Sequence, residues 1–178
     1  MIDWKAEISR VVYWKQIIAE NDRLNAYPWH LPRVGAAPEE IALAEKAAGV
    51  KFSTQYEDFL RHANGWKGFV IAVDLFGTAD FLDGRPQKIM QRTELLTFVR
   101  EQGFGADEFA PIGASDADLD VFLHFSPTSK TLPGGVLWFA NEEVDRYDSF
   151  ADFFAAMINY NARIADRVRG SNPPSNAA

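Results

Sequence analysis

Between Pro38 and Trp66 the chain reads as two short amphipathic helices, separated by a break and closed by Asn-Gly. Such a pair has apolar faces that only further elements can cover, so this stretch organises what surrounds it. Pro38 suits a first helical position, where its missing N–H costs nothing, and Glu39 and Glu40 sit where the helix dipole favours carboxylates. Ile41, Ala44 and Ala48 form a narrow apolar stripe, and Gly49 is a natural stop. Val50 and Phe52 read as anchors in the link. Thr54 and Glu57 fit a capping box for the second helix, whose buried face is Tyr56, Phe59, Leu60 and Ala63. Asn64-Gly65 ends it, because both residues tolerate the left-handed conformation of a helix exit.

The flanking chain supplies the cover. Residues 3–20 have helical spacing through Trp4, Ile8, Val11, Val12 and Ile18, with Lys5, Glu7, Arg10 and Lys15 falling largely elsewhere. Residues 21–35 form a Pro-containing loop. From Gly68 to Leu82 the sequence is rich in Val, Ile and Phe with glycine punctuation, which predicts one or two strands. Residues 83–86 read as a turn, and 92–102 as a helix closed by Gly103. Strands are expected over 109–113, 119–125 and 135–140, with a short edge strand at 144–147. Ser149 and Asp152 then cap a last helix with a stripe through Phe150, Phe153, Phe154, Met157, Ile158 and Ile164.

Blocks of helices and strands joined by hairpin-length turns predict an α+β fold. The expected sheet is mixed and largely antiparallel, of about four to six strands, packed against N-terminal and C-terminal helices. At 178 residues, one domain over 1–169 is expected, with a less specific segment at 1–35 and a disordered tail at 170–178.

Composition excludes more than it selects. There is no Cys, which removes disulfides, thiolate zinc sites and a Cys nucleophile. A net charge of −7 opposes nucleic-acid binding and suits a basic protein partner, although it also serves plain solubility. The N-terminus has no uninterrupted apolar core, and no run is long enough to span a bilayer. A soluble, cytoplasmic chain without membrane contact is expected.

Catalytic and metal signatures fail on inspection. Asp116, Asp118 and Asp120 open like a calcium loop, but Val121 and Pro127 stand where Gly and Glu are needed. His30, His62 and His124 have no ligand spacing; GxSxG, Walker and GxGxxG motifs are absent. No catalytic residue, metal or cofactor is expected. Trp138 reads as core, whereas Trp66 divides evenly between core and contact. Charge singles out two stretches. Glu101, Asp107, Glu108, Asp116, Asp118 and Asp120 fall in a segment with no Lys or Arg; Glu142, Glu143, Asp145 and Asp148 follow, broken only by Arg146. They read as an acidic rim if strand ends bring them together, and as solvated surface otherwise.

The order Glu39-Glu40-Ile41, Glu45, Gly49-Val50, Tyr56, Phe59-Leu60, Asn64-Gly65 resembles the SUKH superfamily, which includes the fungal cell-wall-synthesis regulators of Smi and Knr type. Val136–Phe139 and Asp148-Ser149-Phe150 with Phe153-Phe154 fit its later part, while Phe52-Ser53 stands where Leu-Pro is commoner. The resemblance implies a protein-binding α+β domain without catalytic residues. Its bacterial branch implies an immunity protein that neutralises a cognate toxin, often one directed at nucleic acid and therefore basic. Its fungal branch implies the alternative, an intracellular regulatory scaffold. On the first reading the expected contacts are Glu101, Asp107, Glu108, Asp116, Asp118, Asp120, Glu142, Glu143, Asp145 and Trp66.

Overall fold

Six strands in sequential order form one sheet, β1 (Trp66–Val70), β2 (Val73–Leu75), β3 (Phe109–Ser115), β4 (Val121–Phe125), β5 (Val136–Phe139) and β6 (Glu143–Tyr147). Every neighbouring pair is antiparallel, so the expected α+β class holds and the sheet contains no parallel pair among the described residues. The computed structural model describes residues 2–170; positions 171–178, nearly all of the tail expected to be disordered, lie outside the described residues. The helices are α1 (Trp4–Asn21), α2 (Pro38–Ala48), α3 (Thr54–His62), α4 (Thr78–Leu82), α5 (Arg85–Met90), α6 (Thr93–Gln102) and α7 (Phe150–Gly170).

Local chemistry accounts for the helix boundaries. Glu40 accepts the Ala37 N–H at 2.8 Å ahead of Pro38, and Gly49 leaves α2 with φ 75°. Ser53, not Thr54, caps α3, its Oγ accepting the Tyr56 N–H at 3.3 Å. Ser149 caps α7 as expected, accepting the Asp152 N–H and donating to its carboxylate. Thr78–Leu82, where composition predicts strand, is instead the short helix α4, and Arg85–Met90 adds α5 after the turn. Gly65 and Gly77 make this change of direction possible. Gly65 has φ 86°, and a Cβ there would lie 2.5 Å from the Gly77 nitrogen. Asn64 fixes the crossing by accepting the Thr78 N–H at 2.7 Å and donating to its hydroxyl at 2.9 Å.

The central strands β3, β4 and β5 are buried throughout because both sheet faces are covered. On β4, Phe122 and His124 face one way, towards Phe153 of α7 and Tyr56 of α3. Phe125 faces the other way, against Phe104, and Phe139 of β5 packs on Phe98 of α6. On the first face Trp4, Phe59, Phe150 and Phe154 form an aromatic cluster with ring centroids 5.2–6.3 Å apart. Burying each such ring stabilises the fold by ~1.5–3 kcal/mol. The chain between α1 and α2 runs along the end of α3 and its exit towards β1, with Ala36 N–H donating to Leu60 and Arg33 N–H to Gly65.

Among the described residues three acidic or basic side chains are buried in this scaffold, besides the Tyr56 phenol. Glu45 accepts the Phe52 N–H at 2.8 Å and pairs with Lys51, tying α2 to the link before α3. His124 is wholly enclosed, and its Nε2 meets Ser53 Oγ at 2.9 Å. Burial pushes its pKa down to about 3, so it is a neutral core residue. Lys15, placed by periodicity away from the apolar face, is buried. Its Nζ donates to the carbonyls of Gly68 at 2.5 Å and Pro28 at 3.3 Å, clamping the loop to β1, and burial lowers its pKa to about 8.

Candidate protein-contact surface

Antiparallel register decides which acidic residues can act together. Ala114 pairs with Val121 and Val121 with Phe139, so the β3–β4 and β5–β6 turns emerge at the same end of the sheet. Asp116, Asp118, Asp120, Glu142 and Glu143 therefore share that end. Asp107 and Glu108 precede β3 and lie at the opposite end.

The aspartates of the β3–β4 turn do not converge on a common point. Ser115 Oγ accepts the N–H groups of Ala117 and Asp118, shaping the turn, and Arg92 holds the carbonyls of Ser115 at 2.7 Å and Asp118 at 3.2 Å. Asp116 pairs with Arg85 at 3.1 Å, although its own carboxylate stays largely exposed. Arg85 also pairs with Asp74 and Asp80 and lies over the Phe76 ring, so it ties β2, α4 and this turn together. Asp118 accepts the Asp120 N–H at 3.1 Å, and Asp120 accepts the Trp138 indole N–H at 2.5 Å. Partial burial raises the Asp120 pKa; the Trp138 bond opposes this and neighbouring Asp118 adds to it.

Beside this end a groove of about 600 Å³ runs between one flank of α6 and the β5–β6 turn. Glu94 and Glu101 line it from α6, and Glu142 and Glu143 line it from the turn, with Thr93, Thr97, Phe98, Gln102 and Asn141 completing the walls. Glu94 and Glu101 are seven positions apart, two turns on one helix face. No Lys or Arg lines the groove; Glu143 pairs with Arg146 at 2.7 Å outside it. This is where three of the expected residues, Glu101, Glu142 and Glu143, come together. Glu94 was not among them, and its helical phase with Glu101 is the signal that could have found it.

The remaining expected residues are dispersed or structural. Asp145 is exposed on the edge strand β6 and accepts the Arg146 N–H at 2.8 Å. Asp107 is exposed at the far end. Glu108 is engaged in shaping its own loop, accepting the N–H groups of Gly105 and Lys130 at 2.9 Å and the Ser129 hydroxyl at 3.0 Å. Those backbone donors hold its carboxyl below the usual range. Trp66 is core, fully buried with its indole N–H donating to the His30 carbonyl at 2.7 Å, so the contact reading of that residue is corrected. Among the described residues no group of three His, Asp or Glu side chains could hold a metal ion, and no helix is long and apolar enough to cross a membrane.

A six-stranded antiparallel meander between two helical layers, with an acidic groove flanking one helix, defines an α+β domain. The chain belongs to the SMI1 / KNR4 family (SUKH-1), whose model matches residues 35–156. No curated protein matches it. The family match takes in the whole sheet and the start of α7, but leaves out α1. Outside the match, Ile17 and Ile18 of α1 pack against Ile164 and Ala165 of α7, while Trp4 of α1 joins the main core within it.

Proposed function

We propose that this chain is a cytoplasmic immunity protein that binds a cognate toxin domain and occludes its active surface without catalysis of its own. The carrying observation is the groove lined by Glu94, Glu101, Glu142 and Glu143 with no cation on its walls. Glu94, Glu101 and Glu142 have no ion pair among the described residues, and only Glu143 is paired, with Arg146. Excess carboxylates in a concave surface focus negative potential, which speeds encounter with a basic partner and rejects acidic ones. A toxin acting on nucleic acid presents such a basic surface. Asp116 and Asp118 extend the same charge at that end of the sheet, and family membership supports the reading.

The test uses the toxin domain encoded beside this gene. Wild-type protein should bind it tightly, with affinity falling as salt rises. The fourfold variant E94Q/E101Q/E142Q/E143Q should lose about 100-fold in affinity, equivalent to ~2.7 kcal/mol, and fail to protect cells. Unchanged affinity would overturn the groove as the contact. Absence of any complex or protection by wild-type protein would overturn the immunity function itself.

A further inference from the structure

The opposite flank of α6 borders a second concavity, of about 520 Å³ and contrary chemistry. It exists because β2 ends at Leu75, where the chain turns away into α4. The first half of β3, Phe109–Pro111, consequently has no strand beside it on that side. Helix α5 crosses the gap without filling it. Met90 of α5, Leu96 and Val99 of α6, Phe104 and Pro111 make the walls, and Arg100 is the single charged residue lining them. No carboxylate lines this cavity, and Arg100 has no ion pair or side-chain hydrogen bond among the described residues.

Two features restrict the occupant. Pro111 has no N–H, which disfavours an added strand pairing along this edge. The size falls within the ~300–1,000 Å³ of small-molecule pockets, which are mostly apolar with a few polar groups that fix orientation. We propose that this cavity is a binding site for a small apolar monocarboxylate, its hydrocarbon part against Met90, Leu96, Val99 and Phe104 and its carboxylate paired with Arg100. Guanidinium recognises carboxylate through paired N–H donors, so charge sign as well as apolarity is read. The inference is independent of toxin binding.

Decanoate is the probe, titrated into the full chain and followed by calorimetry and amide NMR. Saturable one-to-one binding is expected, with shifts centred on α5, α6 and Phe109–Pro111. Decyltrimethylammonium, with the same tail and opposite charge, should bind at least tenfold more weakly. Arg100→Gln should weaken decanoate at least tenfold. Leu96→Trp should abolish binding by filling the cavity. Ala106→Trp, at an exposed lining position, repeats the block should Leu96→Trp disturb folding. No saturable decanoate binding, retention of binding in Ala106→Trp, or equal affinity for the ammonium compound would overturn the proposal.

Discussion

The two faces of the sheet are built from the same apolar strands but finished differently. On one, the long helices α1 and α7 and the aromatic side of α3 seal the surface, and even the ionisable groups Lys15 and His124 are absorbed into it. On the other, α5 and α6 have 6 and 10 residues, too short to cover the strands edge to edge, and a concavity remains on each flank of α6. Covering helix length thus separates a sealed face from one that keeps open concavities, where both proposed contacts lie. Substitutions on the first should move unfolding and leave binding alone. Substitutions on the second should do the reverse.

The largest effect expected is at His124. Its folded pKa of about 3 lies below the ordinary 6.5, so between these values the unfolded chain binds the extra proton and stability falls as pH drops. The full window corresponds to about 5 kcal/mol. Urea unfolding of wild type and His124→Leu from pH 7 to 4 should show a smaller acid loss in the variant; parallel curves would refute neutral burial. Next, Phe59→Ala, which removes a ring in contact with Trp4, Phe150 and Phe154, should cost ~3–5 kcal/mol. Its binding to the proposed toxin partner should be unchanged at temperatures where it is folded.

Lys15 gives a smaller effect at the other end of the pH scale. Its pKa of about 8 lies below the ordinary 10.5, so the unfolded chain again holds the extra proton between these values, and stability rises with pH across the window. The complete rise is about 3 kcal/mol. It should be visible from about pH 8 to 9.5, before tyrosine ionisation in the unfolded chain opposes it, and absent in Lys15→Met. The smallest stability effect belongs to the open face. Thr97→Trp, exposed in the acidic groove, should change unfolding by less than about 0.5 kcal/mol while blocking the toxin complex. A large loss of stability there would collapse the distinction between the faces.

What could be read from the residues follows the same division. The stripes of α2, α3, α6 and α7 were legible because each has several turns of periodicity. The glycine exits of α2 and α6 and the Ser149 cap of α7 were marked by local termination chemistry, whereas the α3 cap falls one residue earlier, at Ser53. Helices α4 and α5 were not, since 5 and 6 residues show almost no period and the Phe-rich run around α4 imitates a strand. Lys15 was misplaced because its long stem follows the apolar surface while its ammonium finds backbone carbonyls from two distant segments. The acidic character of the candidate surface was visible in composition, but its membership was not. Register set Asp107 and Glu108 apart from the groove, turn chemistry occupied Glu108, and helical phase brought in Glu94. Trp66 could not be assigned from its neighbours, because burial depends on the loop that passes over it.

The pairing of α1 with α7 has a consequence for how the protein is made. The strands pair in sequence order, so the sheet can add one strand at a time as the chain leaves the ribosome. Trp4, by contrast, is buried against Phe150 and Phe154, nearly the whole chain length away. Until α7 emerges, the apolar side of α1 has only α3 and β1 to pack on and lacks the larger part of its cover. The opening helix therefore waits through most of synthesis for the closing one, and a nascent chain halted before α7 should be a ready client for chaperones.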